Sequence, residues 1–376
     1  MKNLSIYIHI PFCDHKCIYC DFYSIITTEN QSNFINAVTK EIGYYAELYG
    51  KNRIVKTIYF GGGTPSYLPV QAIKEVIENI KNNFKVYDDC EITLETNPGT
   101  VNKSKLKELK NTGINRISIG IQSFLESDLD FLTRIHDKKT AIATVENAAD
   151  VGFKNISIDL IFNLPGQTKS NWLNNLSIAV ELPVVHISAY SLIIERGTIL
   201  NKMILDGKVN IGDEDFDADL YETTIRFLNE NGFEQYEVSN FCKSGFESKH
   251  NLNYWNYGEY IGFGPSAHSF IKNKRWWNFS SLKKYIDEIN KSNRAVRGSE
   301  LLTPEQMLNE FVMLTLRSTG ININEIKKKF KKSWLINNKN KLNGLEQKGL
   351  IIFDDNRIKL TPKGYLVCDE ILLNLN

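Results

Sequence analysis

Three thiols near the start of the chain could hold a metal. Cys13, Cys17 and Cys20 read Cys-x-x-x-Cys-x-x-Cys, directly after an apolar run from Leu4 to Ile10. A structural zinc site wants four ligands in a tetrahedron, and an ordinary iron–sulfur cluster also wants four thiolates. The next cysteine is Cys90. Three thiolates on a four-iron cluster leave one iron open to a small molecule. Zinc with a distant fourth ligand, or three unrelated thiols, are the competing readings. Further along, Gly61-Gly62-Gly63-Thr64-Pro65 follows an apolar segment ending at Phe60. Glycines let a backbone approach a ligand closely. Without a Gly-Lys-Ser/Thr ending the run is not a P-loop. Polar residues then recur at the ends of apolar segments: Glu95 before Thr96-Asn97-Pro98, Gln122 after Gly120-Ile121, Asp159 after Ile158, with Arg134 between the last two. Each alone fits an ordinary strand-end residue.

Short apolar runs carry these residues and alternate with amphipathic stretches. Strand candidates are Leu4 to Ile10, Thr57 to Phe60, Glu91 to Thr96, Arg116 to Gly120, Asn155 to Ile161 and Val184 to Tyr190. Phe34, Val38, Ile42, Tyr45 and Leu48 recur at helical spacing, and a second helix is expected over Gln71 to Phe84. Repeated strand–helix units predict parallel strands with crossover helices. Six such units make a partial (β/α)6 TIM-like barrel of the α/β class, over residues 1–228. Functional residues of such barrels collect at the C-terminal ends of strands, where the cysteine loop and the glycine run both fall. Residues 229–299 differ: they are dense in Tyr, Trp, Phe, Gly and His. Residues 300–376 form a third segment. Thr303-Pro304-Glu305 opens a helix, a second spans Asn324 to Phe330, and Leu342 to Gly349 ends another. Leu350 to Leu360 reads as a ribbon turning at Asp354-Asp355-Asn356, which gives a winged-helix-like α+β module.

A formal net charge of +1 over 376 residues argues against a nucleic-acid or acidic-membrane partner. Lys327-Lys328-Lys329 and Lys331-Lys332 fit a solvated helix face as well as a DNA contact. Six cysteines, three of them tightly spaced, do not make a secreted disulfide framework. The N-terminus runs straight into a strand-like segment without a long apolar core, and a cytoplasmic chain is expected, where thiols stay reduced.

The cysteine spacing resembles the radical S-adenosylmethionine (SAM) superfamily, in which SAM chelates the open iron of a [4Fe–4S] cluster. The resemblance extends over roughly residues 1 to 370 and is to the coproporphyrinogen-oxidase-like branch. It implies that Gly62, Gly63 and Thr64 meet the SAM amino group. It implies further that Glu95, Gln122 and Asp159 contact the ribose and methionine, with Tyr7 and Tyr19 as SAM-contacting aromatic residues. Arg134 is then expected to pair with the carboxylate, a task its planar fork suits. Leu164-Pro165-Gly166-Gln167-Thr168 continues the pattern.

This branch contains oxygen-independent coproporphyrinogen III oxidases and haem chaperones. The oxidases carry a fourth cysteine two positions after the third; here that position is Phe22. The haem chaperones carry His-Asn-x-x-Tyr-Trp, matched by His250, Asn251, Tyr254 and Trp255. The resemblance therefore implies a haem chaperone that transfers haem to an acceptor apoprotein, a membrane-associated respiratory enzyme being one such acceptor, and it allows a homodimer. The alternative is the oxidase itself or another radical SAM enzyme. Histidine is a common axial ligand of haem iron, Tyr254 and Trp255 offer flat amphipathic faces, and Asn251 is expected to orient the imidazole. His250 is the first candidate ligand and His268 the second. His136 and His186 rank below them, and His9 and His15 are expected to shape the cluster loop.

Overall fold

The structure, a computed structural model, describes residues 1–330 and 333–375. Strand and helix alternate from the start: β1 (Lys2–Ile10), α1 (Gln31–Tyr49), β2 (Arg53–Gly62), α2 (Val70–Asn83), β3 (Val86–Thr96), α3 (Lys103–Asn111), β4 (Arg116–Gln122), α4 (Lys138–Asp150), β5 (Asn155–Phe162), α5 (Lys169–Glu181), β6 (His186–Ser191) and α6 (Glu214–Glu230). Strands β1 to β6 are parallel and lie side by side in chain order. A doubly wound sheet reverses its order once; this one does not. With right-handed crossovers all the helices fall on one face, and the sheet must curl to bury the other. The result is a partial (β/α)6 barrel in which β1 and β6 do not pair with each other among the described residues.

Most of the strands alternate apolar and polar residues, yet both faces are buried. Ile6, Ile8, Ile58, Phe60, Ile92 and Leu94 belong to one apolar core with Phe34, Val38 and Ile42 of α1. Fully burying such a side chain is worth roughly 1.5–3 kcal/mol, so the helix-facing side holds the fold. On the other face the same strands carry Thr57, Tyr59, Glu91, Glu95, Arg116 and Asp159. The barrel interior is thus a polar, hydrogen-bonded filling rather than apolar layers.

The aromatic-rich stretch builds the same sheet outward. β8 (Asn240–Cys242) adds antiparallel to β6, and β7 (Glu234–Gln235) pairs antiparallel with β8. After a short helix α7 (Lys249–Trp255), β9 (Tyr260–Phe263) pairs parallel with β1. β10 (His268–Ile271), β11 (Lys274–Asn278) and β12 (Val296–Leu301) continue antiparallel from it, with α8 (Leu282–Ser292) between the last two packed on α1. Ile261, Phe263, Ile271 and Trp276 lie in the barrel's own core.

The C-terminal module has a separate core around Phe311, Leu316 and Ile358. Its first helix, α9 (Pro304–Leu316), starts at a reciprocal capping box between Thr303 and Gln306. Helices α10 (Ile323–Lys329) and α11 (Ser333–Gln347) precede a hairpin of β14 (Ile351–Asp354) and β15 (Arg357–Leu360), which joins β13 (Ile321–Asn322) in a three-stranded sheet. Asp355 supplies the left-handed turn of the hairpin at φ 50°. Lys329 pairs with Glu325 one helical turn away; Lys331 and Lys332 lie outside the described residues. Among the described residues no helix is long and apolar enough to cross a membrane.

Candidate functional site

A cavity of about 370 Å³ opens at the C-terminal ends of the barrel strands. Cys13, Cys17 and Cys20 all line it. Cys13 ends a two-residue strand, Phe12–Cys13, paired with Ile25–Ile26, so the intervening residues form a pinned loop. The glycine run is laced to that loop: Gly63 N–H donates to the Ile10 carbonyl at 2.7 Å and Thr64 N–H to that of Phe12 at 2.8 Å. The Thr64 hydroxyl lies 3.4 Å from Cys13 Sγ. A Cβ on Gly63 would come within 3.0 Å of the same sulfur, and one on Gly62, at φ +110°, would strike the His9 ring at 2.7 Å. Both positions require glycine because backbone, cysteine and histidine converge there.

Among the described residues no three His, Cys, Asp or Glu side chains are gathered closely enough to hold a single metal ion. A four-iron cluster takes one thiolate per iron, so its ligands need not converge on a point. Burial pushes the Cys20 thiol up to about 11 and that of Cys13 in the same direction; metal loading must displace their protons.

Glu95, Gln122, Arg134, Asp159 and Tyr19 share the cavity wall with the thiols. Glu95 accepts from the Tyr59 hydroxyl at 2.7 Å and from Gly62 N–H at 3.2 Å, and burial lifts its carboxyl to about 7. Asp159 accepts from Ser118 Oγ at 3.3 Å, and burial raises it too. Arg134 donates through Nη2 to Asn97 Oδ1 at 2.8 Å and to the Gly120 carbonyl at 2.6 Å; its Nη1 lies 3.5 Å from Cys17 Sγ. Its buried Nε has no hydrogen-bond partner among the described residues. Gln122 sits at φ 72°, beside a register shift between Gly120 and Gln122 that re-aims its side chain. Such strain at a strand end is the kind stored at ligand sites. An orphaned guanidinium N–H, close-approach glycines and two buried carboxylates suit a zwitterionic ligand that also carries hydroxyls. Tyr7 departs from the group: its hydroxyl bonds His9 Nδ1 at 3.1 Å and it faces a different cavity. Asn97 and Tyr59 were not among the residues expected from the sequence. The alternation of polar and apolar positions along β2 and β3 was the signal that could have marked Tyr59.

That other cavity, about 690 Å³, lies between β1, the β9–β11 sheet extension and helix α9. Asp21 and Phe22 of the cluster loop line both cavities. Glu310, Met313 and Leu314 bring the C-terminal module onto its wall, anchored by the Tyr257 hydroxyl on Glu310 at 3.0 Å.

The His-Asn-x-x-Tyr-Trp residues do not line a site together. Tyr254 lines the larger cavity, whereas His250, Asn251 and Trp255 line neither of the two. His250 is 1 % exposed. Its Nδ1 pairs with Thr57 Oγ1 at 2.8 Å and its Nε2 with the Tyr254 hydroxyl at 2.9 Å. With both ring nitrogens hydrogen-bonded and the ring buried, His250 offers no free nitrogen to iron in this arrangement, which differs from the iron ligand expected from the motif. The imidazole is oriented by Thr57 and Tyr254, not by Asn251. The backbone N–H groups of Lys249 and His250 cap onto Glu91, which ties α7 into the barrel interior at mid-strand. Of the other histidines, His186 is bonded to Ser157 and Tyr236, and His136 to the Ile121 carbonyl. His9 is bonded to Tyr7 and the Tyr23 carbonyl, and His15 lies 3.3 Å from Thr133 Oγ1.

The radical SAM superfamily model matches residues 7–177, and the HemN C-terminal domain model matches residues 302–367. The haem chaperone HemW of Bacillus subtilis (strain 168) is 36% identical over 370 residues, covering 98% of this chain and 97% of its own. The mitochondrial radical S-adenosyl methionine domain-containing protein 1 of Danio rerio is 34% identical over 390 residues, covering 98% of this chain and 86% of its own. Among solved structures, the coproporphyrinogen III oxidase HemN of Escherichia coli, a radical SAM enzyme, aligns with a TM-score of 0.84 at 24% identity. The alignment covers 100% of this chain and 90% of that one. At that identity the likeness speaks to fold alone.

Proposed function

Because the chain belongs to the HemW haem-chaperone family of radical SAM proteins, we propose that it binds a [4Fe–4S] cluster, SAM and haem and hands haem to an acceptor apoprotein. The observation that carries the SAM half is the meeting of Cys13, Cys17, Cys20, the Gly62-Gly63-Thr64 backbone and Arg134 on one cavity wall. The three cysteines hold the cluster. The glycine run offers polar backbone at close range to the SAM amino group, and Glu95, Gln122 and Asp159 bind its amino-acid and ribose groups. Arg134, already fixed by Asn97 and Gly120, has an unspent N–H for the carboxylate. Tyr19 closes that wall. When bound, the cluster supplies single electrons to the SAM sulfonium. The chain's own residues position SAM, exclude water and hold the loop.

The acceptor is a haem apoprotein, with membrane-associated respiratory enzymes the class we favour, and the chain works in the cytoplasm, where its thiols stay reduced. Anaerobic reconstitution followed by parallel assays tests the reading. Stoichiometric haem retention without decarboxylation of coproporphyrinogen III is expected. Release of carbon dioxide from the porphyrinogen, with SAM consumed and no haem retained, replaces the carrier with the oxidase.

A further inference from the structure

We propose that the haem cargo sits in the 690 Å³ cavity with His268 as its iron ligand and Arg275 facing a propionate, an assignment that rests on the haem-carrier reading above. The cavity is of the size that small-molecule sites adopt, and its lining is amphiphilic as a porphyrin requires. Phe22, Phe270, Met313 and Leu314 supply apolar wall, while Tyr257 and Tyr260 supply rings with polar edges.

Two histidines line it, and they differ in availability. Both ring nitrogens of His9 are hydrogen-bonded within the protein. The His268 ring has no hydrogen-bond partner among the described residues; it is exposed and stacks on Trp277, ring centroids 5.8 Å apart at 22°.

The chain invests in presenting this ring. The loop before it runs through Gly264 at φ +99° and Ser266 at φ +62°. A left-handed serine is strained and persists only when its surroundings fix it. The fixing group is Glu41, wholly buried in α1. Its carboxylate accepts from Gly264 N–H at 3.0 Å, from Asn278 Nδ2 at 2.7 Å and from the Tyr285 hydroxyl at 2.7 Å. Asn278 also donates to the Gly264 carbonyl, and its N–H donates to that of Ala267. A strained loop held by a buried carboxylate, ending in an unpartnered imidazole on a cavity wall, is a built metal-ligand platform. Arg275, on the same wall, spends donors on Glu300 at 3.2 Å and Glu310 at 2.6 Å. Guanidinium has five N–H donors, so others remain for a carboxylate. Tyr254, which touches the cavity, is backed by His250; the sequence motif therefore supports the wall from behind.

The test titrates ferric haem into the full-length chain and follows the Soret band. His268→Ala should shift the band and weaken binding by roughly tenfold or more, since an axial ligand sets the iron's electronic state; added imidazole should restore the wild-type spectrum, which a merely structural residue would not permit. His250→Gln, verified folded by circular dichroism, should keep the wild-type band. Haem dimethyl ester should bind more weakly than haem to the wild type but not to Arg275→Gln. A wild-type Soret band and affinity in His268→Ala overturn the assignment. So does loss of the band in folded His250→Gln while His268→Ala retains it. A wild-type chain that retains no haem overturns the carrier reading itself, a distinguishable result.

Discussion

Tyr59 lies face to face with His250, their ring centroids 4.8 Å apart, and gives its hydroxyl to Glu95 at 2.7 Å. The pair joins a wall of the thiol-lined cavity to the helix that carries the His-Asn-x-x-Tyr-Trp residues. The imidazole also satisfies two buried hydroxyls, those of Thr57 and Tyr254. His250→Ala therefore leaves a void and unpaired groups, and should cost about 2–4 kcal/mol. The expected reading is a lower urea midpoint with cluster content retained on reconstitution. A wild-type midpoint would mean that the imidazole does not hold α7 in the barrel.

Replacing Cys13, Cys17 or Cys20 with Ala should remove most of the iron and the charge-transfer absorbance after anaerobic reconstitution. The loop stays pinned at Phe12–Cys13 by backbone pairing, so folding should survive. Full iron content in any single variant counts against the assignment. Cys90, Cys242 and Cys368 are buried free thiols elsewhere, and their Ala variants serve as controls that keep the cluster.

Arg134→Ala deletes a guanidinium that already bridges Asn97 and Gly120. A charge-assisted hydrogen bond of this kind is worth about 1.5–3 kcal/mol, so SAM affinity should fall roughly tenfold or more. Calorimetric titration of SAM into cluster-loaded protein reads this directly. An unchanged dissociation constant with an intact cluster would move the carboxylate elsewhere.

Glu41 makes stability depend on pH. Burial lifts its carboxyl to about 7, against the three hydrogen bonds it accepts. The folded chain thus holds this proton more tightly than the unfolded chain does. The stabilisation is complete below about pH 4.5 and is lost as pH rises to about 7, up to roughly 3 kcal/mol. Urea midpoints at about pH 5.5 and 7.5 should differ, with the lower pH more stable, and the difference should shrink in Glu41→Gln. Equal slopes in the two proteins would show that Glu41 does not carry it.

The outward half of the barrel was legible because fully buried strands leave runs such as Leu4 to Ile10, and because Thr303-Pro304 and Asp354-Asp355-Asn356 mark a helix start and a turn by local chemistry. The strands extend one to five residues beyond most of the expected bounds, since pairing with a neighbour recruits residues such as Arg53 and Asp88 that carry no strand signal of their own. β9 was invisible: four residues, Tyr260–Phe263, become a parallel strand only because β1 has a free edge. The same holds for the site. The thiols and glycines announce themselves by local spacing, but the partners of His250 are distant. Thr57 is 193 positions away, and only the folded barrel shows that the ring is already occupied. His268 ranks second to His250 in the sequence because what distinguishes it, an absence of partners on a cavity wall, is not a sequence property.

Asp21 and Phe22 belong to the walls of both cavities. In the proposed reading a cluster on Cys13, Cys17 and Cys20 adds a second tether to the loop that the Phe12–Cys13 pairing already pins, and so braces those two residues. In the proposed reading the grip on the cargo is then an iron gauge: a cell short of iron–sulfur clusters would stop delivering haem before it ran out of haem.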